Sequence, residues 1–452
     1  MCAIFGFYLN RKLNTNDIEL GKKALKMLAH RGPDDSDVWF NKKEGIFFGH
    51  NRLSIIDTSP INKQPMSYGE TTLIFNGEIY NFKEIKEKFK HKFSHSKTRG
   101  DTEVLLKSFH YHEEKAFNYL DGMFAFACFK KKKLYLAVDH FGEKPIYYAK
   151  LQEGIYFSSE PKPLIELLNL SPDKDEKLKM EFILFGYINS PNTIYQNLFK
   201  LEPAHYIECF KKEKKIKLNK KKYWESKRTS FNSGSVKPID KIETQNIKDI
   251  LLNSIKSRLV SDVPIGLFMS SGIDSILIAS LIKKELNLNI DTYTVKFDST
   301  KVHDESKYAK EIAKFLGLNH TTLSSGSDYD AKFDLNNLRE LYSLDINDNL
   351  TIFSIYMMSR LAKKNIKVAL SGLGGDEMFL GYNRYSFYNK YLNLIKKTKK
   401  FSNIFNSIDK LFNKKFKKLH ALNKNFLQTD ERNIYLNLHN FNQLQSFQED
   451  NI

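Results

Sequence analysis

The sequence predicts two dissimilar halves, an α+β half of short strands and two helices followed by an α/β half built on a parallel sheet. Three observations lead there. Up to about residue 210, strand-like runs end in Asn/Gly turns and only two stretches show helical spacing. After about residue 244, strands and helices alternate. Between them lies a polar stretch, Lys211 to Lys241, with Ser-Gly-Ser at 233–235. The 452 residues have room for two to three domains of about 150 each. The expected boundaries are 2–210, a basic linker or hairpin at 211–243, and 244–452.

In the first half, Cys2–Leu9, Gly45–Ile56, Thr71–Asn76, Met123–Phe129, Leu134–Val138 and Ile155–Ser158 are rich in Ile, Phe and Thr and read as strands. Asp17–Ala29 and Asp101–Leu120 space their apolar residues as helices, the second through Val104, Leu105, Phe109, Ala116 and Leu120. The second half begins with a helix, Thr244–Leu259, and a strand, Ile265–Met269. A Gly/Ser turn and a helix, Asp274–Leu286, come next. A strand (Thr292–Phe297), a helix (Ser306–Leu316) and a short strand near His320 follow. A helix (Ile352–Lys363) and the strand Ile366–Leu370 then lead into a second Gly-rich turn. Both turns fall at the carboxyl edge of a parallel sheet, where such sheets bind ligands.

Composition excludes several classes. Hydrophobic residues at 41% and charged residues at 27% are ordinary for a folded chain, not for a disordered or collagenous one. The longest apolar run, Met123–Phe129, is far short of the ~20 residues a spanning helix needs. The N-terminus has no basic region ahead of an apolar stretch, so a cytoplasmic protein is expected. Three cysteines in such a length argue against a disulfide framework. The charge balance, 71 basic minus 53 acidic residues, is +18. The lysines lie in Lys/Asn-rich stretches, 210–222 and 396–418, without a basic-aromatic or helix-turn-helix pattern. Neither a nucleic-acid nor a membrane partner is expected.

Cys2 follows the initiator Met and precedes a small residue. Loss of Met1 would place a thiol and a free α-amine on one residue. With a pKa of about 7.7–8.0, that amine is a general base near neutrality and the thiolate a strong nucleophile. Then follow, in order, His30-Arg31-Gly32-Pro33-Asp34, Arg52-Leu53-Ser54-Ile55-Ile56-Asp57, Gln64-Pro65, Asn76-Gly77-Glu78-Ile79-Tyr80-Asn81 and Gly100-Asp101-Thr102-Glu103. This series resembles the class II glutamine amidotransferase domain, an N-terminal-nucleophile glutaminase with an αββα sandwich. The resemblance implies glutamine bound along Arg52, Leu53, Ser54, Ile55 and Ile56, with Arg52 on its carboxylate. It places Asp101 on the ammonium, Glu78 beside the same strand end, and Asn76 with the Gly77 N–H as oxyanion hole. Cys128, in a buried-looking strand, and Cys209, in a hairpin, read as core residues.

Ser270-Ser271-Gly272-Ile273-Asp274-Ser275 joins a strand to a helix, and such a turn offers N–H groups and hydroxyls to phosphate. Asp274 beside phosphate implies Mg²⁺. With Ser261-Asp262-Val263-Pro264-Ile265-Gly266 ahead of it, the turn resembles the pyrophosphate loop of ATP-pyrophosphatase synthetases of the asparagine synthetase kind, which usually have Gly at Ser271. Ser371-Gly372-Leu373-Gly374-Gly375-Asp376-Glu377, then Gly381-Tyr382, resembles that family's second nucleotide motif. Asp304-Glu305-Ser306 with Tyr308 also fits. The resemblance implies ATP as substrate. Phe268, Val295, Ser371 and Gly372 would lie on the adenosine, Ser270, Ser271, Gly272 and Ser275 on phosphate, and Asp274 and Asp376 near Mg²⁺.

The combined resemblance implies that ammonia from glutamine amidates aspartate through an acyl-adenylate, giving asparagine, glutamate, AMP and pyrophosphate. Family members tend to dimerise, so a homodimer is an expectation. Two departures bear on the acceptor. Leu373 stands where asparagine synthetases often carry an acidic residue; that departure marks either a subgroup or a different acceptor, such as a uronic acid of a surface polysaccharide. The chain also ends at Ile452, in a polar segment from Gln443, without the family's following helical region and basic/acidic motif. A C-terminally incomplete synthetase domain is expected, and a synthetase-inactive binding protein on a glutaminase fold is the third reading.

Overall fold

The computed structural model describes residues 1–185, 187–226, 240–296, 304–324, 349–382 and 385. The first half contains twelve described strands: β1 (Ala3–Leu9), β2 (Asp35–Asn41), β3 (Ile46–Arg52), β4 (Met66–Tyr68), β5 (Thr71–Ile79), β6 (Gly122–Lys130), β7 (Lys133–Val138), β8 (Tyr147–Leu151), β9 (Gly154–Ser158), β10 (Leu198–Lys200), β11 (His205–Lys212) and β12 (Lys215–Lys222). They form two antiparallel six-stranded sheets, ordered β10-β8-β9-β1-β3-β2 and β12-β11-β7-β6-β5-β4.

Strand alternation turns this into four layers. On β1, Ile4 and Tyr8 join Ala125, Ala127 and Phe129 of β6 in a core between the sheets. The other face of β1 (Ala3, Phe5, Phe7, Leu9) packs on Ile18, Ala24 and Leu25 of the helix Thr15–Met27. The other face of β6 (Phe124, Phe126, Cys128) packs on Val104, Leu105 and Phe109 of the helix Asp101–His112. β1 and β6 thus bury both faces, and each buried Phe contributes about 1.5–3 kcal/mol. The arrangement is an αββα sandwich, and Cys128 and Cys209 are buried in its core.

Two boundaries and one strand differ from expectation. The run 45–56 leaves the sheet at Arg52, because the Leu53 N–H donates to Cys2 Sγ instead of to a neighbouring strand. The helix 101–120 stops at His112, where Glu113 takes φ +49° and a 3₁₀ turn, Glu113–Asn118, follows. The polar edge strand β2 has no apolar alternation to announce it.

His50, at the centre of β3, is buried and bonded through Nε2 to the Phe75 carbonyl (3.1 Å). Burial pushes its pKa down to about 4, with Arg52 reinforcing the shift. A base depressed in the fold stabilises fully above its unfolded pKa of about 6.5, and that contribution is lost as pH falls through 4. The shift corresponds to roughly 3 kcal/mol. H50N is therefore expected to flatten stability against pH between 6.5 and 4 by about that amount, as measured by denaturant unfolding.

The second half holds a parallel sheet of β13 (Ile265–Phe268), β14 (Asp291–Lys296), β15 (His320–Ser324) and β16 (Val368–Leu370), ordered β15-β14-β13-β16. Leu267, Met269, Ala279, Ile282, Ala313 and Leu316 form the core between sheet and helices. The helix Lys241–Arg258 starts on an Asp240/Glu243 capping box, and Ser306–Leu316 ends on Gly317 at φ +66°, both local signals for those ends. The chain divides into two compact units, 1–178 with 188–371, and 179–187 with 372–452. The expected polar C-terminal segment, the Lys-rich stretch 396–418 and the Ser-Gly-Ser linker lie outside the described residues. No described helix is long and apolar enough to cross a membrane.

Candidate active site

A cavity at the end of β5 collects the residues that the first-half motifs single out. Cys2, Arg52, Leu53, Ile55, Ile56, Asn76, Gly77, Glu78 and Asp101 all line it, together with Met1, Asn62, Gln64 and Lys144. Ser54 does not; its N–H is held by Asp34 Oδ2 (2.8 Å). β1 delivers Cys2 to the cavity, and the Arg31 Nε–H fixes its carbonyl (3.1 Å) while pairing with Glu160 (2.8 Å).

Cys2 Sγ accepts from the Leu53 N–H (3.3 Å). Burial nevertheless raises the thiol pKa, with the Leu53 contact, the neighbouring amine and Arg52 opposing. The thiolate is therefore not the resting form and a base must make it. The Met1 α-amine is pushed down to about 6, mainly by burial; Cys2 opposes this while Arg31 and Lys144 add to it.

Asn76 is 1% exposed, and its Nδ2 has no hydrogen-bond partner among the described residues. An unsatisfied buried donor costs about 1–3 kcal/mol, and here it belongs to a residue that lines the same cavity as Cys2. Gly77 takes φ +150°, and a Cβ there would lie 2.0 Å from the Met123 carbonyl, so only glycine fits. The Arg52 guanidinium is 5% exposed; it donates to the Ser59 carbonyl (3.0 Å) and to the Asp57 carbonyl.

Asp101, 4% exposed, opens its helix and accepts from the Ile79 N–H (3.0 Å). Burial, with Glu78 adding, pushes its pKa up to about 7. Below that pH it is neutral and a poor partner for an ammonium group. A cationic ligand seated on Asp101 is therefore expected to bind about tenfold more weakly per pH unit below 7, a dependence that D101N should remove in binding measurements across pH 5.5–8.

Lys144 went unread in the sequence. It is buried, its Nζ lies 3.1 Å from Met1 Sδ, and burial lowers its pKa. Lysines are ordinarily exposed, so nothing in Gly142-Glu143-Lys144-Pro145 announces this. The Asp139 carboxylate turns the chain there, accepting from the N–H groups of Phe141, Glu143 and Lys144 (3.0–3.1 Å).

Of the second-half residues, Phe268, Val295 and Ser371 fall at the carboxyl edge of β13, β14 and β16. Phe268 ends β13 opposite Tyr293, Val295 lies at the end of β14, and Ser371 follows β16. The turn 270–272 is internally laced. The Ser270 N–H donates to Ser275 Oγ and the Gly272 N–H to Ser270 Oγ (both 3.1 Å). The Ser271 N–H donates to Glu305 Oε2 (3.1 Å), so a carboxylate already sits where an anion would. Asp274 is half-buried in the first turn of the helix Ile273–Lys284. Gly372 and Asp376 belong to the second unit, where a short helix, Gly375–Phe379, follows Gly374 at φ +97°. Among the described residues, no group of three or more His, Cys, Asp or Glu could hold a metal ion. Asp274 and Asp376 are hard oxygen donors of the type Mg²⁺ takes when phosphates supply the remaining ligands.

Strand order and the Cys2 cavity define a glutaminase-type domain followed by an α/β synthetase sheet. Family models agree: "Glutamine amidotransferase domain" matches residues 1–224 and "Asparagine synthase" residues 246–449. Asparagine synthetase [glutamine-hydrolyzing] 1 of Bacillus subtilis (strain 168) is 35% identical over 85% of this chain and 59% of its own. A Methanocaldococcus jannaschii protein, named provisionally as a glutamine-hydrolysing asparagine synthetase, is 32% identical over 90% of this chain and 80% of its own. The chain belongs to the family of glutamine-hydrolysing asparagine synthetases, and spans about three-fifths of the length of the Bacillus relative. Among solved structures, the Bacillus subtilis glutamine phosphoribosylpyrophosphate amidotransferase with ADP and GMP aligns at 13% identity over 82% of this chain and 93% of that one, with a TM-score of 0.39. That likeness adds nothing to the strand order.

Proposed function

We propose that the chain hydrolyses glutamine at Cys2 and uses the ammonia to convert aspartate to asparagine at the expense of ATP. The observation that carries the reading is the buried, unpartnered Asn76 Nδ2 in one cavity with Cys2, Arg52 and Asp101. Residues 2–210 form the proposed glutaminase domain and 244–452 the proposed synthetase domain.

Removal of Met1 gives Cys2 a free α-amine. The amine takes the thiol proton, and Sγ attacks the side-chain amide carbon of glutamine. Asn76 Nδ2 and the Gly77 N–H receive the negative charge that forms on oxygen, a stabilisation of several kcal/mol. The amine returns the proton to the departing nitrogen, ammonia leaves, and water hydrolyses the thioester to glutamate. Arg52 pairs with the α-carboxylate of glutamine; Asp101, with Glu78 beside it, holds the α-ammonium.

At the second site the aspartate side-chain carboxylate attacks the α-phosphorus of ATP, and pyrophosphate leaves. Ammonia, carried through the protein interior, attacks the acyl carbon and displaces AMP. Shielding the adenylate from water protects it. Phe268, Val295, Ser371 and Gly372 would flank the adenosine, and Ser270, Ser271, Gly272 and Ser275 the phosphates. Mg²⁺ supplies charge neutralisation on the phosphates, near Asp274 and Asp376.

Leu373 favours a second reading of the acceptor. Its side chain is 76% exposed and apolar where an acidic residue would assist aspartyl adenylate chemistry. Another carboxylate, such as a uronic acid, then takes the place of aspartate. Purified chain with Mg-ATP, ammonium chloride and aspartate, followed by mass spectrometry, distinguishes these. Equal amounts of asparagine and AMP support the first reading. AMP release only with another carboxylate supports the second. Glutamine hydrolysis with no AMP from any carboxylate leaves a synthetase-inactive glutaminase fold.

A further inference from the structure

We propose that Asp262, carried by the synthetase half, is a positioning residue for the loop Arg52–Asp57 that lines the Cys2 cavity, with Lys367 as a second support. The inference rests on reading that cavity as the glutamine site.

The loop leaves β3 at Arg52 and has no strand neighbour beyond it. Two of its backbone groups, the Ile55 carbonyl and the Asp57 N–H, are satisfied from the other half of the chain. The Asp262 N–H donates to the Ile55 carbonyl (3.0 Å), and the Asp57 N–H donates to Asp262 Oδ2 (2.8 Å). One residue thus brackets the loop with a donor and a charged acceptor. A tight turn holds Asp262 in place, with the Val263 N–H on Ser261 Oγ (3.1 Å) and that hydroxyl on the Val263 carbonyl (2.9 Å). On the other side, Asp34 Oδ2 accepts both the Ser54 N–H and Lys367 Nζ, each at 2.8 Å.

Both supports sit where the synthetase sheet begins. Asp262 precedes β13, which leads to the Ser270–Gly272 turn, and Lys367 immediately precedes β16, which leads to Ser371. Within the loop, Arg52 is tied to the Asp57 and Ser59 carbonyls, and Leu53 holds Cys2 Sγ at both its N–H (3.3 Å) and its carbonyl (3.6 Å). Freeing Asp57 therefore loosens the guanidinium that meets the glutamine carboxylate. The chemistry at Asn76 and Gly77, carried by β5, is left in place. The expected signature is weaker glutamine binding at nearly unchanged turnover.

Steady-state glutamine hydrolysis by the full chain tests this. D262A is expected to raise KM about tenfold with kcat within about twofold of wild type. D262N keeps an acceptor oxygen for the Asp57 N–H and should restore most of the KM. K367E places a like charge beside Asp34 and should raise KM about fivefold. An unchanged KM in D262A, or an equal rise in D262A and D262N, overturns the inference. If D262A does not fold, an unchanged KM in K367E overturns it. A wild-type chain that does not hydrolyse glutamine overturns the reading of the cavity and the inference with it; an active wild type with unmoved variants overturns the inference alone.

Discussion

Replacing Cys2 by Ala is expected to lower glutamine hydrolysis by about 10⁴-fold or more while leaving ammonia-dependent AMP release at its wild-type rate. Removing the nucleophile of a covalent mechanism costs that order because no other group can form the acyl intermediate. Neither other cysteine can substitute. Cys128 and Cys209 are buried in the sandwich core, where desolvation pushes their thiol pKa values far up. Sγ of Cys2 instead faces the cavity with an N–H donor 3.3 Å away. The synthetase reaction fed by ammonia does not pass through this atom. Parallel assays with glutamine and with ammonium chloride measure both rates. An equal loss of both would mean that Cys2 acts through the fold and not through its sulfur.

Asn76→Ala is expected to lower kcat for glutamine by about 10²–10³-fold, equivalent to ~3–4 kcal/mol, with little change in KM. Among the described residues the Nδ2 donor has no partner, so it is already desolvated when charge develops on the substrate oxygen. The same fact sets the stability outcome. The substitution removes a donor that the fold leaves unsatisfied, so the unfolding midpoint is expected to stay level or rise. A large fall in both kcat and stability would instead assign Asn76 a structural role.

Much of this was legible in the order of residues. Cys2, the Arg52–Asp57 run, Asn76-Gly77-Glu78 and Asp101 are chemically marked, and the cavity gathers all the expected residues except Ser54. Gly77 shows why a motif can be so informative: its φ of +150° and the Met123 carbonyl leave no room for a side chain. Continuous apolar runs rich in Phe, such as β1 and β6, were equally readable. Lys144 was not, because burial of a lysine depends on distant neighbours. Nor was the end of β3 at Arg52, where a contact to Cys2, 51 residues away in sequence, replaces strand pairing.

Residue order alone makes legible an α+β half ahead of an α/β half, the residue types gathered around Cys2 and the two glycine-rich turns at the edge of a parallel sheet. Those features depend on local periodicity and on side chains whose chemistry is intrinsic. The three-dimensional packing alone reveals that Asn76 Nδ2 is buried with no partner among the described residues, that Asp101 is pushed up to about 7, and that Asp262 accepts from the Asp57 N–H beside the Cys2 cavity. Desolvation and long-range hydrogen bonding set those properties, and both depend on what the fold brings from far along the chain.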